Sequence, residues 1–277
     1  MAKPNGKTAL ITGSTDGVGR EVALRLGGEG WRLFVHGRDR DRGNEVVAKI
    51  AASGGTAEFL QTDLSALAEV RRLTDAVQRR TNRLDLLINN AGIGSGGPQG
   101  TRRQSADGYE LRFAVNYLSG FLLTHLLLPL LKQSAPARIV NVSSLGQQAI
   151  DFADVMLTRD YNGMRAYRQS KLAQILFTID LAAEIAGAGV TVNALHPATF
   201  MDTRMVREFG KPLSTVAEGA DAIMRLAVSP EIEGKTGLYF NGQSEGKADV
   251  QAYDAAARQK LKALSLELTG LKPTTAS

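Results

Sequence analysis

The chain has 277 residues, 43% hydrophobic and 22% charged, with a formal net charge of +5 and no cysteine. That size and balance belong to a globular protein with a large core, and doubly wound α/β folds of this length are commonly one domain. The missing cysteines exclude disulfides and thiolate metal sites, the three scattered histidines (His36, His125 and His196) argue against zinc, and the spread of basic residues argues against nucleic acid as a partner.

Apolar, strand-like runs alternate with helical patterns along the chain. Thr8-Ala9-Leu10-Ile11 reads as a buried strand, followed by a helix over Glu21 to Gly27 with Val22, Ala23 and Leu26 on one face. Trp31 to Val35 is a second strand and Asn44 to Ala52 a helix with Val46, Val47 and Ile50 inward. Ala57 to Gln61 is a third strand. A helix marked by Val70, Leu73 and Val77 comes next, then a strand over Leu84 to Ile88. Tyr109 to Lys132 reads as one long helix and Arg138 to Val142 as a fifth strand. Tyr167 to Ala186 is helical, Val190 to Leu195 a sixth strand, Ala217 to Val228 a helix and Gly237 to Phe240 a short seventh strand. This alternation predicts βαβ units and a parallel sheet with helices on both faces.

The ends, about residues 1–6 and 269–277, read as flexible. No apolar stretch approaches the ~18 residues of a membrane span; the longest, Phe121 to Leu131, is interrupted by Thr124, His125 and Pro129. Met1 to Gly6 carry no apolar signal region, so the expected location is the cytoplasm.

Two features carry chemistry. Gly13, Gly17 and Gly19 fall between the first strand and the first helix, in the turn Gly13-Ser14-Thr15-Asp16-Gly17-Val18-Gly19. Glycine admits positive φ and close backbone approach, and the helix N-terminus that follows attracts a pyrophosphate. Tyr167 and Lys171 stand at i and i+4 on one helical face. A phenol starts near pKa ~10, so an ammonium one turn away is expected to lower it toward neutrality for proton transfer. A dinucleotide phosphate site and an activated phenol together are equipment for hydride transfer.

Thr12-Gly13-x-x-x-Gly17-x-Gly19, Asn89-Asn90-Ala91-Gly92, Asn116, Ser143-Ser144, Tyr167-x-x-x-Lys171 and His196-Pro197 stand in a telling order and spacing. In these the chain resembles the short-chain dehydrogenase/reductase superfamily, from about residue 7 to 240. The segments Arg138 to Ser144 and Ala166 to Ala173 resemble its retinol-dehydrogenase-like branch. The resemblance implies a single-domain, doubly wound α/β Rossmann fold of about seven strands. It implies catalysis by Asn116, Ser144, Tyr167 and Lys171 on a small-molecule carbonyl or alcohol. It also implies cofactor contacts from Gly13, Ser14, Thr15, Gly17, Val18, Asp63, Leu64, Asn90, Ala91, Gly92, Tyr167, Lys171, Pro197 and Thr203. Ser144 is the second of its pair and is expected at the substrate oxygen. Asn116 is expected to distort its helix and hold a water that links Lys171 to solvent.

Several positions keep alternatives. After the second strand the first charged residue is Arg38, where enzymes for NAD usually place a carboxylate. A guanidinium suits a 2′-phosphate, so the expected cofactor is NADP(H); the alternative points Arg38 to solvent and gives the ribose to Asp39. Asp63 reads equally as a helix cap near Ser65. Ala198 replaces a glycine common in the family, which leaves Thr203 and the Phe200 backbone as alternatives for the nicotinamide carboxamide. Tyr161 is a rival acid but lacks a lysine at i+4. The segment from Ile93 to Gly100, with four glycines and one proline, reads as a flexible rim, and Met201 to Lys211 as a cap over the substrate. The apolar helical stretches Val115 to Leu131 and Leu172 to Ile185 suggest a homodimer or homotetramer. A competing reading is a catalytically silent NADP(H)-sensing protein of the same fold.

Overall fold

The structure, a computed structural model, describes residues 5–97, 100–207 and 210–272. Eight strands form one sheet: β1 (Thr8–Ile11), β2 (Arg32–Gly37), β3 (Thr56–Gln61), β4 (Leu86–Asn89), β5 (Ala137–Val142), β6 (Val190–His196), β7 (Tyr239–Asn241) and β8 (Ser244–Gly246). Their order is β3-β2-β1-β4-β5-β6-β7-β8, with only the β7–β8 pair antiparallel. The α/β expectation holds, and β8 is an addition. Three residues behind the Gly242 turn are too short and polar to announce a strand.

The helices are α1 (Gly17–Gly28), α2 (Arg40–Ala52), α3 (Leu67–Gln78), α4 (Ser119–Gln133), α5 (Gly163–Glu184), α6 (Arg204–Arg207), α7 (Val216–Val228) and α8 (Ala255–Thr269). Alternation along the strands divides the core in two. Leu10, Phe34, Leu87, Ile139 and Val192 face α3, α4, α5 and α8. Ala9, Ile11, Leu33, Val35, Ile88 and Val140 face α1, α2 and α7. Buried on both faces, the central strands read as continuous apolar runs. Strand order reverses between β1 and β4, so a crevice opens at their C-terminal ends, where α/β sheets take ligands.

The long helix predicted from Tyr109 begins later and is irregular. Phe113–Leu118 is a π-helix that runs into α4, with Asn116 inside it. The combined helical segment Phe113–Gln133 is 21 residues long with mean hydropathy 1.5, which meets the length and composition of a membrane span. That corrects the reading that no such stretch exists. Its apolarity comes from packing, since 72% of its most apolar window is buried inside the protein.

α8, which no apolar stripe foretold, lies against α5. The Tyr117 and Ser265 hydroxyls share a 2.7 Å hydrogen bond, and Tyr109 Oη donates to Leu268 O at 2.9 Å. Lys262 pairs with Glu184 at 2.7 Å. The apolar faces of α4 and α5 that suggested subunit contacts are thus largely occupied within the chain. The ends are also less free than expected. Asn5 is held by Gly30 O and Glu29 O, and Leu271 N donates to Leu266 O; residues 1–4 and 273–277 lie outside the described residues.

Candidate active site

Two loops at the sheet's C-terminal edge are locked together by side chains that follow β1 and β4. Thr12 Oγ1 accepts from the N–H groups of Asn90 and Ala91, both at 3.0 Å. Asn90 Nδ2 donates back to Thr12 O at 2.8 Å and Gly13 O at 3.0 Å. Gly13 has φ +65°, and a Cβ there would stand 2.8 Å from Ala91 Cα. A Cβ on Gly19 would collide with Asn90 Nδ2 and Gly13 O. These glycines are therefore required by close packing of the turn itself. Asp16 caps α1 at Gly17 N and carries two guanidiniums, Arg42 and Arg204, each at 3.1 Å.

Ser14 spends its hydroxyl and its N–H within the protein. Its hydroxyl donates to Ile11 O at 2.7 Å and accepts from His36 N at 3.0 Å, and its own N–H donates to His36 O at 2.9 Å. His36, weighed in the sequence only as a metal ligand, proves to be a support of this turn. Its Nδ1 accepts from Gly13 N at 3.1 Å, and burial lowers its pKa to about 4, which keeps the ring neutral for that role. Thr15 lies against Gly37, and Val18 and Leu64 are buried in the core.

At the end of β2, Arg38 has a side chain 70% exposed, with Asp63 Oδ2 as its nearest ion partner at 3.7 Å. Asp39 caps α2, its Oδ1 accepting from Asp41 N and Arg42 N, both at 3.1 Å, while its Oδ2 lies 3.2 Å from Arg42 Nε. The other oxygen of Asp63 accepts from Ser65 N at 2.9 Å, but α3 starts at Leu67 behind Ala66 with no side-chain cap, so Asp63 is not the helix cap the sequence also allowed. The first turn of α1 leaves backbone N–H groups without intrahelical partners. An exposed guanidinium at one end and open helix amides at the other fit a dinucleotide phosphate backbone laid across the crevice.

Four residues expected at the chemistry converge across β5, α5 and the π-helix. Ser144 and Tyr167 are neighbours, since a Cβ on Gly146 would stand 3.4 Å from Ser144 Oγ and 3.8 Å from the Tyr167 ring. Ser143 is turned away, its hydroxyl donating to Lys171 O at 2.7 Å. Asn116 pairs with the backbone of Ile93, accepting from its N–H at 2.7 Å and donating to its carbonyl at 3.1 Å, and donates to Ser170 Oγ at 3.0 Å. Lys171 is 5% exposed. Its Nζ donates to Val142 O at 2.8 Å and Gln174 Oε1 at 3.1 Å, and lies 5.9 Å from the centre of the Tyr167 ring.

This geometry corrects one expectation. The ammonium does not depress the phenol: burial raises the Tyr167 pKa, only partly offset by Ser144. Burial also lowers Lys171 to about 7, since its contacts are neutral oxygens and no carboxylate holds its charge. His196, whose Nε2 lies 3.1 Å from Thr199 Oγ1, is lowered to about 4 by burial and then by the Lys171 charge. Gln174 was missed, though its i+3 spacing from Lys171 made it legible.

The remaining positions fall into place around this centre. Gly92 lies beside both Asn116 and Lys171: a Cβ there would stand 3.4 Å from Asn116 Oδ1 and 3.5 Å from Lys171 Nζ. Pro197 is buried at the end of β6. Thr203 reaches the start of α1, its methyl 3.3 Å from where a Gly17 Cβ would stand. Tyr161 is engaged elsewhere, donating to Glu110 Oε1 at 2.9 Å, and burial with that carboxylate raises its pKa.

A parallel sheet with its crevice at a glycine turn, and a Ser–Tyr–Lys group beside it, define a dinucleotide-dependent oxidoreductase. Residues 7–213 match the short chain dehydrogenase family, and the chain belongs to it. It is 38% identical to retinol dehydrogenase 14 of Homo sapiens over 298 residues, covering 96% of this chain and 87% of that protein. Among solved structures it is similar to the RhlG/NADP active-site complex of Pseudomonas aeruginosa, at 28% identity and TM-score 0.68, covering 86% and 95% of the two chains. It is also similar to a 3-ketoacyl-(acyl-carrier-protein) reductase from Brucella melitensis complexed with NADH, at 27% identity and TM-score 0.69, covering 86% and 98%.

Proposed function

We propose that the chain is an NADP(H)-dependent oxidoreductase that interconverts an apolar aldehyde or ketone and its alcohol, with Tyr167 as the acid/base. The observation that carries this reading is the placing of Tyr167 next to Ser144 with a buried lysine 5.9 Å from its ring, at the sheet edge where the glycine turn opens. The dinucleotide, when bound, supplies or accepts the hydride. The α1 turn, Asn90, Ala91 and Gly92 hold its adenosine half and pyrophosphate, and Arg38 meets the 2′-phosphate that distinguishes NADP(H).

Ser144 positions the substrate oxygen and Tyr167 passes its proton to it. A phenol whose pKa is raised by burial stays protonated at neutral pH, which is the form a carbonyl reduction needs from its acid. Lys171 has three donors and uses two on Val142 O and Gln174 Oε1, so one remains for a ribose hydroxyl. Asn116 fixes the Ile93 backbone and the α5 helix in one frame.

Leu145, Met164, Phe200 and Leu213 are exposed large apolar residues in the segments that follow Ser144, precede Tyr167 and flank Thr203. They supply an apolar wall for the substrate. Retinol, named in the similar dehydrogenases, is an apolar alcohol of that kind. The test is consumption of NADPH, and separately NADH, with a panel of apolar aldehydes and ketones. NADPH consumption exceeding that of NADH is expected. Tight NADPH binding without turnover on any of them would favour the silent binding protein.

A further inference from the structure

Away from the reacting groups, the most committed polar cluster in the molecule is a buried ion pair. Glu110 and Arg112 are 1% and 5% exposed. Arg112 uses every side of its guanidinium. Nε donates to Gly94 O at 3.0 Å, Nη2 to Ser95 O at 2.5 Å, and Nη1 to Tyr161 Oη at 2.5 Å and to Glu110 Oε1 at 3.4 Å. Tyr161 Oη donates in turn to Glu110 Oε1 at 2.9 Å, and Glu110 Oε2 accepts from Phe113 N at 2.8 Å. One guanidinium thus ties three separate segments.

Each segment leads directly to the site. Gly94 and Ser95 follow Gly92 and Ile93, the stretch that lies beside Lys171 and pairs with Asn116. Phe113, whose N–H donates to Glu110, starts the π-helix that holds Asn116. Tyr161 comes two residues before α5, which carries Tyr167 and Lys171. Gly163, the first residue of α5, sits so close to Ser95 that a Cβ would collide with its carbonyl oxygen. The rim expected to be flexible is therefore held at Gly94 and Ser95, and its residues 98–99 lie outside the described residues.

A buried ion pair is weak evidence for stability, because desolvation of both charges offsets their attraction. It is strong in geometry, because a guanidinium fork fixes distance and angle together. We propose that Arg112, braced by Glu110 and Tyr161, is a positioning residue that sets the register between the loop at Gly92–Ser95 and the helix bearing Tyr167. It touches none of the reacting atoms and acts by holding the groups that do. This rests on the function proposed above, because register matters only if Tyr167 must meet a substrate beside the dinucleotide. A displacement of about 1 Å in such a constellation lowers rates by about 10²-fold.

Tyr161→Phe is the mildest break, removing one oxygen and leaving the ring. The readout is turnover per NADPH-binding site, with sites counted by fluorescence titration and an apolar aldehyde or ketone as substrate. A loss of folded protein lowers the number of sites and leaves turnover per site unchanged. The proposal predicts that turnover per site falls roughly 10–100-fold, with NADPH affinity within about twofold of wild type. Glu110→Gln, which keeps the shape and removes the charge, should fall in the same direction. Turnover per site equal to wild type in either variant overturns the proposal. Tyr167→Phe, measured alongside, separates the two readings: if its turnover stays within about tenfold of wild type, the proposed function fails whatever Tyr161→Phe does.

Discussion

Replacing Lys171 by methionine should remove a pH dependence of folding stability that the wild-type chain carries. Lys171 is 5% exposed, and burial lowers its pKa from 10.5 to about 7. The folded chain therefore releases this proton from about pH 7 upward, while the unfolded chain holds it to about 10.5. In that window the unfolded state binds more protons, so stability rises with pH. Below about pH 7 the full penalty of a buried charge is present. At about 1.36 kcal/mol per pKa unit the whole window amounts to roughly 5 kcal/mol, and about 2 kcal/mol of it falls between pH 7 and 9. Urea denaturation of both proteins at the two pH values, without dinucleotide and at ~0.2 M salt to screen surface charge, reads it out. The wild type should gain about 2 kcal/mol more than Lys171→Met over that interval. His196, which the Lys171 charge also lowers, titrates near pH 4, below this interval, and groups away from Lys171 drop out of the difference. Equal gains would refute the claim that the ammonium is held desolvated between Val142 and Gln174.

Two further substitutions probe the cofactor crevice. Arg38→Met should weaken NADPH binding by about 10–100-fold, the loss of about 1.5–3 kcal/mol of charge-assisted hydrogen bonding, and leave NADH binding nearly unchanged. Fluorescence titration with both cofactors checks it, and a parallel loss for the two would place Arg38 outside the 2′-phosphate site. Gly19→Ala should cost about 2–4 kcal/mol, because its Cβ displaces Asn90 from Thr12 O and Gly13 O. That corresponds to a melting temperature lower by roughly 3–7 °C. Gly28→Ala in the same helix has nothing within 4 Å of its Cβ and serves as the control; equal melting temperatures for the two variants would contradict the packing argument.

Much of this architecture was legible because the central strands are buried on both faces and the glycine turn has to fall between β1 and α1. Lys171 four residues after Tyr167 was legible for the same reason, since helical spacing is local. What was not legible depends on partners distant in sequence. The carbonyl oxygen that accepts from Lys171 Nζ belongs to Val142, 29 residues earlier. α8 presents Ala257, Leu261, Ser265 and Thr269 inward, a stripe of small and polar residues that no hydrophobic period reveals. The tie of Arg112 to Gly94 and Ser95 turns a glycine-rich rim, flexible by composition, into a held one. Arg38 and Asp39 stood as rivals in the sequence. Only the capping of Asp41 N and Arg42 N shows that Asp39 is engaged.

The most direct test of the account is the rate of NADPH oxidation by Tyr167→Phe with an apolar aldehyde or ketone, alongside its NADPH dissociation constant. Removing the proton donor should lower kcat by about 10²–10⁴-fold, with NADPH affinity within about twofold of wild type. Turnover within tenfold of wild type would contradict it and place the proton transfer on another group.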